Sequence, residues 1–488
     1  MRRLEPIAIL RSVLVLVAVA HILIVVVVSL RRMVHPFELE WMEGAMVDHV
    51  ERVLQGKRLY VEPSVEFVPF IYGPLYFWVS AGVAKVVGLS FLPLRIVSIA
   101  SMLGSFGLLY AIVKRETEDR VAGVVAAGAF AATYVKSAQF LDIGRVDSFS
   151  LVLSLGAIFI LRNLRARRMY WVLSAVLLAF SFLTKQSSFL VALALIAHEL
   201  WTERRRAIPF AVVTLVLSLG TASVIDWVHS GWFRYYTWEL PRSHPFVKHS
   251  LAGFWTDDLF PTMAIGAVFA AFYLIAAKPR REGARLFHML AAGGMLASSW
   301  TGRLHDGGWP NVLIPAFAGL AVLFGLGVAE ALRMAEAQTV QLRSFVLVAA
   351  ATQLAVLFYD PTRVVPRPRD TLLGWAFIAQ IRDIPGDVFI PNHSWYARMA
   401  GKPAHAHRMA MDDVFRGDPY GSGPSLATEV RVALNHKRWA AVVLDDDFFA
   451  GDAMRNYSSR PVPFASKEGF FPVTGIHIRP RDILLREP

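Results

Sequence analysis

The stretch IAILRSVLVLVAVAHILIVVVVSL, Ile7 to Leu30, followed closely by HPFELEWMEG, His35 to Gly44, decides the fold. A largely apolar run of that length crosses a bilayer as a helix, because hydrocarbon offers backbone amides no partner outside their own helix. It is too long for a removed secretory signal and lacks a small-residue cleavage site, so it is expected to remain as a first span. Glu38, Glu40 and Glu43 then emerge at a membrane face, where partial desolvation can tune a carboxylate for general-base chemistry. The plainer reading is a solvated acidic loop.

The rest of the chain agrees with a membrane assignment. Of its 488 residues 55% are hydrophobic and 18% charged, and the mean hydropathy is +0.46, which excludes an ordinary soluble fold. The formal charge of +12 does not point to nucleic acid, because the basic residues fall in short clusters between apolar runs and so set topology. The absence of cysteine excludes disulfides and thiolate metal sites and leaves the compartment open.

Eleven spans are predicted, at Ile7–Leu30, Pro93–Val113, Val121–Val135, Ser148–Leu161, Trp171–Thr184, Ser188–Trp201, Ala207–His229, Leu259–Ala277, Leu286–Trp300, Asn311–Leu332 and Ser344–Tyr359. Lys114/Arg115/Arg120, Arg162/Arg165/Arg167/Arg168, Arg204/Arg205/Arg206 and Lys278/Arg280/Arg281/Arg285 mark alternate connections as cytoplasmic. Consistency then requires one apolar stretch not to cross, and Tyr72 to Gly88, with Lys85 inside it, reads as a helix lying in the interface. Residues 31–92 become a long external loop. The linkers Lys136–Asp147, Lys185–Ser187, Ser230–Asp258 and Thr301–Pro310 share its side, and Arg31 and Arg32 stand there against the charge rule. Residues 1–359 therefore form a transmembrane domain. After them, residues 360–488 are expected to form a small soluble extracytoplasmic α/β unit with strands near Asp387–Ile390 and Ala440–Leu444. No repeat, P-loop or GxGxxG is present.

Several polar residues on that side are chemistry candidates. Asp142 and Asp147 flank Arg145 and could orient an acceptor or hold a divalent metal. Arg145 can fork onto a phosphate, or simply pair with Asp147 at a helix end. Asp147 before Ser148 also reads as a helix cap. Lys185, between two apolar runs, is either a phosphate ligand or a snorkelling lysine. Arg303, His305 and Asp306 sit in a short glycine-containing turn. The aromatics Tyr235, Tyr236 and Trp238, with Arg242, His244 and His249, read as an interfacial belt before a sugar platform. HAHRMAMDD, with His405, His407, Asp412 and Asp413, matches no zinc spacing and reads as surface histidines.

Met42-Glu43-Gly44, Gly56, Tyr60, Tyr72-Gly73-Pro74-Leu75, Gly144-Arg145-Val146-Asp147-Ser148 and Leu183-Thr184-Lys185-Gln186-Ser187 occur in order. Together they resemble the motifs of the GT-C membrane glycosyltransferases, particularly bacterial relatives of protein O-mannosyltransferases and the lipid A aminoarabinose transferases. The resemblance covers roughly the first 330 residues. It departs from the family at Met42, which stands at the first acidic position, and at Gly73, which replaces a proline. It implies a GT-C type α-helical fold and transfer of a sugar from a polyprenyl-phosphate carrier to a lipid, glycan or protein acceptor outside the cytoplasmic membrane, usually with inversion. On that reading Glu43 is the base, with Glu40 its alternate or a neighbour that raises its pKa, and the two share a helix face at i,i+3 spacing. Asp147 joins the catalytic set, while Arg145, Lys185, Asp142, Tyr72, Arg303 and His305 meet the substrate. A flippase for a lipid-linked glycan and a non-catalytic scaffold are the competing functions.

Overall fold

The computed structural model describes residues 5–164, 169–336, 338–462, 464 and 469–487. Each of the eleven apolar stretches is helical. The first elements are α1 (Glu5–Met33), α2 (Glu43–Leu54), α3 (Leu75–Val87), α4 (Phe91–Thr117), α5 (Arg120–Ala132), α6 (Asp147–Asn163), α7 (Tyr170–Phe182) and α8 (Phe189–Thr202). Helices over Arg204–Val228, Ser250–Ile275, Ala284–Arg303, Pro310–Glu336 and Val340–Ala355 follow. Among the described residues, five helices are long and apolar enough to cross a membrane, α1 and α4 among them, and the protein is a multi-pass membrane protein. At 13 residues α3 is about 20 Å long, the same length as α5 and α7.

Close helix packing uses small residues, as expected where hydrocarbon supplies no hydrophobic drive between helices. A Cβ on Gly128 would lie 2.6 Å from Ala18 Cβ, and one on Gly327 would lie 2.2 Å from Phe269 O. At one end of the bundle the basic clusters meet. Arg162 and Arg281 both bond Glu116, at 2.7 and 3.1 Å, Arg280 bonds Glu118 at 2.6 Å and Arg11 bonds Asp119 at 3.0 Å. Arg165, Arg167 and Arg168 lie outside the described residues. Arg32, discordant with the charge rule, is an internal cation: it is fully buried, 3.2 Å from Asp142, and donates to Thr474 Oγ1 at 2.8 Å.

At the other end lies a second core. A sheet in the order β1-β2-β4-β3 is built from β1 (Val388–Phe389), β2 (Ala441–Leu444), β3 (Tyr457–Pro461) and β4 (Asp482–Arg486). β1 and β2 are parallel and the other pairs antiparallel. Residues 360–488 carry the expected small sheet, and their core is shared. Their apolar side chains merge with those of α2, α3 and the first loop. Phe37 shows why, since its ring meets Phe470, Trp375 and Tyr396 at centroid distances of 5.1, 5.2 and 5.7 Å. Tyr235 and Tyr236 also enter this core, 2% and 0% exposed, and of the expected belt Trp238 stays outside.

Gly73 presses on the backbone after α7. A Cβ there would sit 2.0 Å from Leu183 O, which accepts from Leu75 N at 3.2 Å. Gly73→Ala is expected to destabilise the protein by about 1–3 kcal/mol through this overlap, read as a lowered midpoint of thermal unfolding in detergent.

Candidate active site

The acidic loop is pulled in two directions. Glu43 opens α2, and Arg95, from the apolar face of α4, forks onto it at 3.0 Å (Nε to Oε1) and 2.6 Å (Nη2 to Oε2). Gly144 N donates to Oε1 at 2.6 Å and Leu39 N to Oε2 at 2.7 Å. Burial alone pushes this carboxyl up, but the Arg95 charge and the amide donors overturn that and hold it below the usual carboxylate range. Every strong acceptor position is taken. Glu43, expected as the base, keeps no lone pair free of a donor in this arrangement.

Glu40 is different. It precedes α2, so the expected shared helix face with Glu43 does not form. Its Oε2 accepts from Arg145 Nη1 at 3.2 Å, and burial, opposed by Arg145 and reinforced by Glu43 and Glu38, raises its pKa to about 7. Arg145 also donates to Tyr72 Oη at 2.6 Å and lies over the Tyr72 ring, 5.3 Å from its centroid. Its Nη1 lies 2.8 Å from Met42 Sδ, the side chain at the position where the resembled family is acidic. Arg145 does not pair with Asp147. Its Nε is buried without a partner.

Asp147 begins α6 and receives Lys185 Nζ at 2.6 Å and Asn311 Nδ2 at 3.0 Å, both on Oδ1. It makes no cap hydrogen bond of its own, and Lys185 does not snorkel, being 15% exposed in that pair. The remaining oxygen, Asp147 Oδ2, and the Ser188 hydroxyl are buried and unpartnered. Both residues line a narrow cavity with Lys185, Ser150, Ser154, Ser187 and Ser298. Gln186 closes the neighbourhood by donating to Ile71 O at 2.8 Å and Thr237 O at 3.1 Å.

Other expected residues lie elsewhere. Asp142 is engaged by Arg32 and by Tyr134 Oη at 2.9 Å. A separate cation holds each of Asp142 and Asp147, and among the described residues no group of three or more His, Asp or Glu side chains is placed to hold a metal ion. Arg303 makes a bidentate pair with Asp258 at 2.8 and 3.1 Å, and His305 bridges to Phe246, so both shape the outer loops. His405 and His407 are buried, not superficial. His407 Nδ1 accepts from Met409 N at 3.1 Å, which leaves Nε2–H to donate to Asn392 O at 3.0 Å and Trp41 O at 3.2 Å.

Sequence reasoning missed Arg95 and Asn311. Arg95 carried a usable signal, an arginine inside an apolar run, which by itself marks a committed partner. Asp413 was read only as part of the HAHRMAMDD cluster. It comes from the far C-terminal segment, where burial, opposed by Arg416, raises its pKa to about 7, and it feels the Arg145 charge.

The motifs Glu43-Gly44, Tyr72-Gly73-Pro74, Gly144–Ser148 and Leu183–Ser187, scattered along the chain, thus meet at one end of the bundle. The family model of dolichyl-phosphate-mannose-protein mannosyltransferases matches residues 69–227. The crystal structure of ArnT from Cupriavidus metallidurans bound to undecaprenyl phosphate superposes with a TM-score of 0.61 at 13% identity, covering 96% of this chain and 97% of that one. The protein carries the GT-C fold. The archaeal oligosaccharyltransferase AglB from Archaeoglobus fulgidus, in complex with an inhibitory peptide and a dolichol-phosphate, is a more distant GT-C likeness. Its TM-score is 0.53 at 13% identity, over 88% of this chain and 69% of that one. No curated protein sequence matches significantly. Within this GT-C chain, Arg95→Met is expected to cost about 3–5 kcal/mol by leaving the Glu43 charge buried and unpaired, measured as loss of thermal stability in lipid nanodiscs.

Proposed function

We propose that the protein is a membrane glycosyltransferase that moves a sugar from a polyprenyl-phosphate carrier to an acceptor hydroxyl, with inversion. The observation that carries this is the pairing of a buried carboxylate with a pKa near 7, Glu40, with the buried Arg145, at the same end of the bundle as Lys185 and the hydroxyl-lined cavity. Glu40 takes the acceptor proton as the acceptor oxygen bonds to the anomeric carbon, while the bond from that carbon to the carrier phosphate oxygen breaks. Negative charge grows on the departing lipid phosphate, and Arg145 and Lys185 are the cations in reach of it. Asp147 holds Lys185 in place and keeps one oxygen open towards the cavity, where a sugar hydroxyl would satisfy it. A single displacement of this kind inverts the anomeric centre. The family match over residues 69–227 and the GT-C fold agree with this chemistry.

The site is assigned to the extracytoplasmic face of the cytoplasmic membrane, opposite the end where the basic clusters meet. In this cysteine-free chain, a cysteine at exposed Lys57 is expected to react with an impermeant thiol reagent in intact cells, and one at exposed Arg280 only after permeabilisation. Labelling in the reverse order would overturn the sidedness.

The chemistry is tested with purified protein in vesicles, labelled polyprenyl-phosphate sugars and membrane extract. A base must be ionised, so transfer should fall about tenfold per pH unit below about 7 and level off above it. Glu40→Gln should abolish transfer and retain donor binding, whereas Lys185→Met should weaken donor binding. Wild-type movement of the carrier across the vesicle without sugar transfer would replace the enzyme reading with transport.

A further inference from the structure

The proposed base lies on a segment that the membrane bundle does not hold alone. Residues 38 to 41, Glu38-Leu39-Glu40-Trp41, are each touched by a residue from the last hundred of the chain. Glu38 Oε2 bonds His393 Nδ1, and Glu38 N donates to Tyr396 Oη at 3.4 Å. Leu39 O accepts from Thr474 N at 2.9 Å. Glu40 lies against Gly475, where an added Cβ would meet Glu40 Cγ at 2.9 Å on a backbone with φ of +73°. Trp41 O accepts from His407.

His393 is the centre of this hold. Its second nitrogen, Nε2, bonds Asp445 Oδ2 at 2.7 Å just after β2, so the ring bridges a carboxylate of the first loop and one of the sheet. All three side chains are at most 1% exposed, and Tyr396 stacks on the ring at 5.0 Å. A histidine facing a carboxylate on each nitrogen can donate to both as an imidazolium. Burial opposes that charge, and Asp445 and Glu38 outweigh it and raise the pKa to about 10. The same short segment grips α2 further on, with Ser394 Oγ donating to Asp48 and Arg398 forking onto Glu51.

We propose that the C-terminal module is a working part of the active site, in which the Glu38–His393–Asp445 bridge and the Thr474–Gly475 turn set the position of Glu40, with His393 as a positioning residue. This rests on Glu40 being the base. The physical logic is a fixed frame: Glu43 is pinned to the bundle by Arg95, residues 38 to 41 are pinned to the module, and Glu40 is held between the two anchors. Slackening one side moves the carboxylate by ångström amounts, and such displacements reduce catalysis about 10- to 100-fold without touching the substrate. Donor affinity should survive, because Lys185, Asp147 and Asn311 belong to the bundle.

The test uses the full chain in vesicles with His393→Ala, Gly475→Ala and the double variant Glu38→Gln/His393→Gln, which removes one of the two buried carboxylate charges that His393→Ala would strand. Expected are a kcat lowered at least about tenfold in all three, a KM for the labelled polyprenyl-phosphate sugar within about twofold, and faster hydrogen exchange at residues 36–48. The double variant should regain thermal stability and not kcat. A kcat equal to wild type in a folded variant, or one that recovers with stability in the double variant, overturns the inference. If wild type transfers no sugar, the functional reading fails by itself. Exchange then decides the rest: unchanged protection at 36–48 in His393→Ala overturns the positioning as well, and faster exchange upholds it.

Discussion

The buried ion pair between Glu43 and Arg95 is the constraint on which the functional end of this protein depends. Arg95 lies in an apolar helix, where an unpaired guanidinium would be costly, and Glu43 is its one carboxylate partner. The rest of the Arg95 guanidinium donates to His35 O at 2.5 Å and Phe37 O at 2.6 Å, so the same side chain gathers the turn that precedes α2. The Gly144 amide completes the cage and draws in the segment before α6. One arginine thereby fixes how the first loop leaves α1, where α2 starts and how near Arg145 comes to Glu40.

Charge is then divided among distinct pairs rather than pooled. Glu43 answers Arg95, Asp142 answers Arg32, Asp147 answers Lys185, and Glu40 shares Arg145 with Tyr72. Glu43 takes four donors and serves the architecture. The other three pairs keep buried atoms without a hydrogen-bond partner, Arg32 Nε with Asp142 Oδ2, Arg145 Nε, and Asp147 Oδ2, and of these residues Asp147 lines the cavity. Buried polar groups are ordinarily satisfied, so atoms left open beside a hydroxyl-lined cavity are where a ligand's own donors and acceptors fit.

Much of this was legible along the chain. Apolar runs located every helix of the bundle, because backbone in hydrocarbon has few alternatives, and α3 was set apart by the charge clusters around it and its Lys85. β1 and β2 were visible as short apolar segments, whereas β3, with the pattern Tyr457-Ser-Ser-Arg-Pro461, is a polar edge strand without that signature. The positions of Glu40, Glu43, Arg145, Asp147 and Lys185 could be marked as important. Their roles could not, because a carboxylate's function follows from how many donors reach it. Glu40 and Glu43 are three residues apart and meet different arginines, one leaving a base-like acid near neutrality and the other a locked anion.

The sequence by itself determined a multi-pass helical membrane protein, the end of the bundle that gathers its unusual residues, and the motifs that meet there. Those properties depend on local hydropathy and charge, which any short window of the chain displays. Only the tertiary structure decided that residues 360–488 share a core with the first loop, that His393 bridges Glu38 and Asp445, and that Glu43 takes four donors while Glu40 shares Arg145 with Tyr72. These rest on contacts between residues hundreds of positions apart, in an interior where desolvation magnifies each charge and each missing partner, and no local pattern records which charges will face each other.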